Sequence, residues 1–407
     1  MFPLRLYGCS IRLYQRGCHE RFVSSPVAAI IDLMKVGLVC PYNIFRGGGV
    51  QECVLALQRE LTKRGHSVYI ITPKPKTIPK HNLQNLELVG TATDVKSLFH
   101  TTAQGSISLN PKELDAMLTK HKFDLLHFHE PWVPLLSWQI LSKASCPNVA
   151  TFHAKLPETV LSNTIKTVIT PYTRSVLKSL DVLTAVSPAA SEYVETLTEQ
   201  KPVIVPNGID IAKYAGTTPQ ERDKNMILYV GRLEKRKGVK YLLAAFEELA
   251  AKNPDVKLLI AGEGPESVKL RDYAKEHNIP RVSFLGHIDE PTKLELLRKA
   301  AIFCSPALYG ESFGIVLLEA MATGAVAVAG NNSGYQSVMH GRGSISIVNP
   351  RDKAEFVRRL ELMLHDQSVR DLWQQWAHDY VQQYDYTVVA TSYEKVYQQA
   401  LKAHNKH

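Results

Sequence analysis

The fold turns on residues 205–231: Val205-Pro206-Asn207-Gly208-Ile209-Asp210, a polar interval from Ala215 to Asn225, then Met226-Ile227-Leu228-Tyr229-Val230-Gly231. The last run is apolar without polar alternation, the pattern of a strand buried on both faces. Val239, Leu242, Phe246 and Leu249 follow at helical spacing. VKLLIAG (256–262), RVSFLG (281–286), AAIFCSPA (300–307) and AVAVAG (325–330) are further buried strands. A fresh first strand after a polar interval means that a βαβ rhythm begins anew here.

The same rhythm runs upstream. KVGLVC (35–40) is a strand; Val50, Val54, Leu57 and Leu61 make a helix that Gly65 ends. SVYIIT (67–72), FDLLHFH (123–129), NVATFH (148–153) and DVLTAV (181–186) are strands with helices between them. The expected fold is therefore α/β, with two doubly wound Rossmann-like domains over 34–205 and 206–380, facing a central cleft. Residues 381–407 are expected to add a C-terminal helix, and residues 1–33 an N-terminal extension lacking periodicity. Ligands of such sheets bind beyond the carboxyl ends of the strands, so two facing sheets share one site.

Of the 407 residues, 45% are hydrophobic and 21% charged, enough apolar material for two cores. The net charge of +9 favours phosphorylated small molecules or anionic lipid surfaces as partners. No aromatic-basic interleaving accompanies it, so nucleic acid is not an expected partner. Cys9, Cys18, Cys40, Cys53, Cys146 and Cys304 form no CxxC pair and no metal spacing. They read as small hydrophobes of a reducing cytoplasm. No apolar run reaches a membrane span, and no secretory signal is expected.

Four sets of residues carry candidate chemistry. Gly47-Gly48-Gly49 precede a helix, where backbone amides and the helix dipole can meet an anion. The pattern is neither GxGxxG nor a P-loop, which argues against an NAD-dependent dehydrogenase. Arg232 and Lys237, in GRLEKRKG after a strand, suit a diphosphate; a solvated basic turn is the plain alternative. Glu311 and Glu319 flank a helix starting near Phe313, and Glu319 sits on an apolar helix where a carboxylate needs a partner such as a ribose diol. His127, His129 and His153 stand at strand ends; a third zinc ligand at metal spacing is not evident, so no metal is expected.

In this order, a glycine-rich first loop, TFH at a strand end, VPNGID, GR-x4-KG and the E-x7-E of GESFGIVLLEAMATG resemble glycosyltransferase family 4 over about 34–400. CPYNIFRGGGVQ, LLHFHEPWVPLLS, ATFHA and QQYDYTVVATSYEKVY are similar to phosphatidylinositol mannosyltransferases, which use GDP-mannose. The resemblance implies the GT-B fold and metal-independent hexosyl transfer from a nucleotide sugar with retention of configuration, without a cofactor. It implies that Gly49 approaches the donor diphosphate, that Arg232 and Lys237 hold the phosphates, and that His153 contacts the transferred sugar. Glu311 would bind the sugar, with Phe313, Gly314 and Ile315 amides near sugar and phosphate. Glu319 would bind ribose, Ile288 would sit at the base, and Tyr42 and Gln51 would face the acceptor.

Two features bear on the acceptor. After TFH the chain reads AKLPET, with Glu158 near the place where the inositol lipid enzymes carry a lysine and Lys155 as its substitute. The stretch SISLNPKELDAMLTKHK is thin in basic residues. The expected acceptor is a lipid such as phosphatidylinositol, reached by a cytoplasmic protein in peripheral contact with anionic membrane. A UDP-sugar donor with a soluble or polysaccharide acceptor is the alternative within the same mechanism, and a catalytically silent binding module lies outside it.

Overall fold

The computed structural model describes residues 32–96, 102–133, 135–155, 163–215 and 221–405. The expected extension over 1–33 lies outside them but for its last two residues, and Glu158 lies outside them too.

The first sheet has eight strands: β1 (Lys35–Val39), β2 (Ser67–Lys74), β3 (Leu86–Lys96), β4 (Thr102–Ile107), β5 (Leu125–His129), β6 (Asn148–Phe152), β7 (Val182–Ala185) and β8 (Val203–Ile204). Their order is β4-β3-β2-β1-β5-β6-β7-β8, parallel except for the β3–β4 hairpin. The second sheet contains β9 (Asp223–Val230), β10 (Lys257–Ala261), β11 (Val282–Gly286), β12 (Ala300–Ser305), β13 (Val326–Gly330) and β14 (Ile347–Val348). Its order is β11-β10-β9-β12-β13-β14, all parallel. These are the two Rossmann-like sheets that the apolar runs predict.

Every residue of β5, β6, β12 and β13 is buried, which is why these strands carry no polar alternation. The β3–β4 hairpin, β8 and β14 have no counterpart among the expected strands. They lie towards the sheet edges, where less burial is required and the apolar signal is weak. The helix Gly49–Lys63 buries Cys53, Val54, Leu57 and Leu61, and Gly65 at φ +96 follows its end.

Each sheet reverses its winding once, between β1 and β5 and between β9 and β12. Crevices for ligands open at such switch points. The turns after these strands hold Gly47–Gly49, Glu130, Arg232–Lys237 and Gly310–Gly314.

The chain crosses between the sheets twice, side by side. Ile209 N donates to Tyr384 O at 2.8 Å and Tyr386 N to Ile209 O at 3.2 Å. A Cβ on Gly208 would lie 2.6 Å from the Tyr386 ring, so this junction requires glycine. Beyond the turn Gln382–Tyr384, the helix Tyr386–His404 returns to the first sheet. There Glu394 meets Arg64 at 2.7 Å and His66 at 3.1 Å, and the Tyr397 hydroxyl meets His127 Nδ1 at 2.9 Å.

Candidate active site

A cavity of about 790 Å³ opens between the strand ends of the two sheets. One wall carries Tyr42, Gly47–Val50, Glu130, His153 and Ala154; the other carries Lys237, Gly310–Val316, Glu319, Glu290 and Lys293. Asn207–Asp210 and Tyr386, from the two crossings, close the base.

Two helices begin at this cavity. Gly49–Lys63 starts from Gly48, and Ile315–Thr323 starts from Gly314 at φ +122. A Cβ placed on Gly49 would lie 3.7 Å from Ile315 Cδ1, so the two starts face each other closely. Their first-turn amides lack intrahelical partners, and both dipoles present a positive end. An anion between them is favoured from both sides.

Lys237 adds a full charge beside this anion site. Its Nζ lies 2.9 Å from Glu311 Oε1, which also takes a 2.5 Å bond from Arg236. Glu319 lies one helix face away. Its Oε1 accepts from the Tyr214 hydroxyl at 2.6 Å and from Lys293 Nζ at 3.0 Å. Within the protein Lys293 and Tyr214 already partner Glu319, which also lines the cavity.

His153 Nε2 lies 2.9 Å from His129 Nδ1. Burial pulls His153 down to about 4, against the hydrogen bond to Asn207, and pulls His127 down to about 3. Burial also holds His129 well below its ordinary value. All three imidazoles are neutral near pH 7, so His153 acts through hydrogen bonding rather than charge. Burial, with the nearby Glu130 charge, raises the Tyr42 phenol well above its ordinary range.

The cavity therefore gathers Tyr42, Gly49, His153, Lys237, Glu311, Phe313, Gly314, Ile315 and Glu319 of the expected set. Arg232, Gln51 and Ile288 are not among its lining residues. Arg232 is 53% exposed and pairs with Glu234 at 3.3 Å. Gln51 is buried and folds back so that its Oε1 would meet a Cβ on Gly48 at 2.5 Å. Ile288 sits half-buried after β11, two residues before Glu290.

Sequence reasoning missed Glu130, Asn207, Tyr214 and Lys293, all on the cavity wall. HFHEP and VPNGID did hold two of them, but the histidines drew the metal question and the junction drew the boundary. It also missed a third ligand-type group: Cys53, His129 and His153 bring one donor atom each within 4.8 Å of one another. Cys53 is far away in sequence, so no spacing revealed it. The fit to a metal is poor. The two histidines spend facing nitrogens on each other, and burial pushes the Cys53 thiol up to about 12, away from the thiolate a metal needs.

Comparison with known proteins agrees with this arrangement. Residues 47–213 match the model described as Glycosyltransferase Family 4, and 210–379 the model described as Glycosyl transferases group 1. A phosphatidyl-myo-inositol mannosyltransferase of Mycolicibacterium smegmatis is 32% identical over 372 residues, covering 90% of this chain and 94% of that protein. Its namesake in Mycobacterium tuberculosis H37Rv is 30% identical, over 90% and 97%. Among solved structures, a glycosyltransferase from Rickettsia africae superposes with a TM-score of 0.71 at 16% identity, covering 91% and 99%. Sucrose-phosphate synthase from Thermosynechococcus elongatus gives 0.69 at 20%, over 91% and 100%. With two facing parallel-sheet domains, a cleft between their strand ends and relatives aligned along nearly their whole length, this chain belongs to glycosyltransferase family 4 and is a hexosyltransferase of the GT-B fold.

Proposed function

We propose that this hexosyltransferase moves mannose from GDP-mannose, with retention of configuration and without a metal, onto a hydroxyl of a phosphatidylinositol-type lipid. The observation that carries the reading is that two closely facing helix starts and Lys237 line the same cavity. These groups supply the positive charge that a departing diphosphate needs, and their effect grows as that charge develops. His153, on the first wall, would contact the transferred sugar. Glu311, once Lys237 turns to phosphate, keeps Arg236 on Oε1 and has its other oxygen to accept sugar hydroxyls. Mannose and the inositol lipid are taken from the names of the mycobacterial relatives.

One observation favours the second reading, in which the acceptor is soluble or a glycan. Lys155, the substitute for the lysine after TFH, is tied to Glu192 at 2.9 Å and to Ser333 at 2.9 Å. It thus joins the two domains and is already engaged by protein groups. Purified protein should be incubated with GDP-mannose, GDP-glucose, UDP-glucose or UDP-N-acetylglucosamine, with phosphatidylinositol vesicles or free inositol, and with EDTA or Mg²⁺. The expected product is an α-mannosyl lipid formed equally well in EDTA. Transfer from UDP-sugars alone, a β-linked product, or loss of activity in EDTA would each overturn the corresponding part.

A further inference from the structure

Glu130 has no task in the reaction described above, yet the structure places it with unusual care. It follows β5 directly at φ +52, a conformation that a residue with a Cβ rarely adopts. It is 1% exposed. Its Oε1 accepts the backbone amides of His153 and of Ala154, the latter at 2.6 Å. Burial raises its carboxyl to about 7, against the His153 and Ala154 amides and the Trp132 indole, which favour the ionised form. Its Oε2 has no hydrogen-bond partner of good geometry among the described residues. Tyr42 and His153 share the cavity wall with it.

A buried carboxylate oxygen without a donor is costly, and proteins rarely leave one. Here the unpartnered oxygen belongs to a residue on the wall of a ligand cavity, held in a strained conformation at a switch point. The missing donor is then most economically a group of the ligand. The ligands of a hexosyltransferase are polyols, and hydroxyls are the donors that they offer. A carboxylate that is fixed through one oxygen and open at the other is suited to choose among them by position.

We propose that Glu130 is a substrate-binding residue whose Oε2 accepts a hydrogen bond from one hydroxyl of a polyol held in the cleft. The polyol is the transferred hexose of the donor or the hydroxylated head of the acceptor. The inference rests on the reading of the cavity as a nucleotide-sugar transferase site.

Glu130→Gln tests it, because the amide keeps a carbonyl for the His153 and Ala154 amides while replacing the open oxygen with a donor. Calorimetry with GDP and with UDP comes first. Wild type and variant should bind the nucleotide alone within about twofold of each other. The variant should then lose about 10- to 100-fold, the worth of one hydrogen bond to a charged group. If the partner is the hexose, the loss appears in nucleotide-sugar affinity and a deoxy-sugar donor lacking that hydroxyl binds both proteins equally. If it is the acceptor, the loss appears in the acceptor KM and nucleotide-sugar affinity is unchanged. Wild-type values for both substrates would overturn the proposal and leave Glu130 as a support for residues 153–154. Loss of nucleotide binding by the variant alone would overturn it as well, in favour of a role in the shape of the cleft. A wild-type protein that binds no nucleotide would instead bring down the functional reading itself.

Discussion

Lys237 Nζ lies 2.9 Å from Glu311 Oε1, so the cation and the carboxylate of one cavity wall are each other's partners. In the proposed reaction a diphosphate at the helix starts would draw Lys237 away, leaving Glu311 held by Arg236 through Oε1 and open to the sugar through its other oxygen. Binding of one half of the donor in this way prepares the contact for the other half.

Lys237→Ala should therefore reduce turnover by about 10²–10³-fold, the typical cost of removing one donor that acts on developing charge. Arg232→Ala should cost less, because its side chain is 53% exposed and paired with Glu234 outside the cavity lining. Steady-state kinetics on the two variants checks the order. An Arg232 effect equal to that of Lys237 would show that the cleft rearranges around the donor and would restore Arg232 to the phosphate clamp.

Glu319→Gln should weaken the nucleotide itself, by about tenfold, with little change in turnover. A ribose contact at Glu319 would exist in ground and transition states alike, so its loss belongs in KM. Lys293 and Tyr214 remain to hold the amide in place, which keeps the fold intact. Unchanged GDP affinity in the variant would reduce Glu319 to a structural ion pair.

The buried histidines make a prediction about acid. A histidine whose folded pKa is depressed contributes stability that is present above its ordinary value of about 6.5 and lost as pH falls from there. For His153 and His127 the loss extends to about 4 and about 3. Between pH 7.5 and 5, each should remove roughly 2 kcal/mol. Glu130, raised by burial to about 7, works in the opposite direction, since the folded state holds its proton more tightly. Urea unfolding of wild type and His127→Gln at both pH values isolates one imidazole. The variant should lose less stability on acidification; an identical loss would mean that His127 is not held neutral.

No helix among the described residues is long and apolar enough to cross a membrane. A surface loop of the first domain nevertheless offers a basic contact. Lys76 and Lys80 are exposed around Ile78, itself 59% exposed, whereas Lys74 ends β2 and pairs with Glu113 at 2.5 Å. Each basic residue near an anionic bilayer contributes about 1 kcal/mol. Co-sedimentation with phosphatidylglycerol vesicles at low salt should bind the protein, high salt should release it, and Lys76→Glu with Lys80→Glu should weaken binding. Absence of binding at low salt would count against the membrane reading and for a soluble acceptor.

The sequence alone determined the central strands of the two sheets. β1, β5, β6, β12 and β13 are buried almost throughout, and burial on both faces writes a continuous apolar run that can be read locally. The helix spacing, the glycines at the helix starts and the order of the motifs are local in the same sense. Tertiary structure decided what these elements do to one another. That Tyr397 meets His127, Glu394 meets Arg64, and Cys53 stands beside His129 depends on strand order and on the return of the last helix. So does the discovery that Glu319 already has Lys293 and Tyr214, and that Glu130 has an oxygen to spare. Periodicity records how deeply a residue is buried, because burial constrains each position separately. It does not record against which side chain the residue is buried, because that partner is brought there by the whole chain.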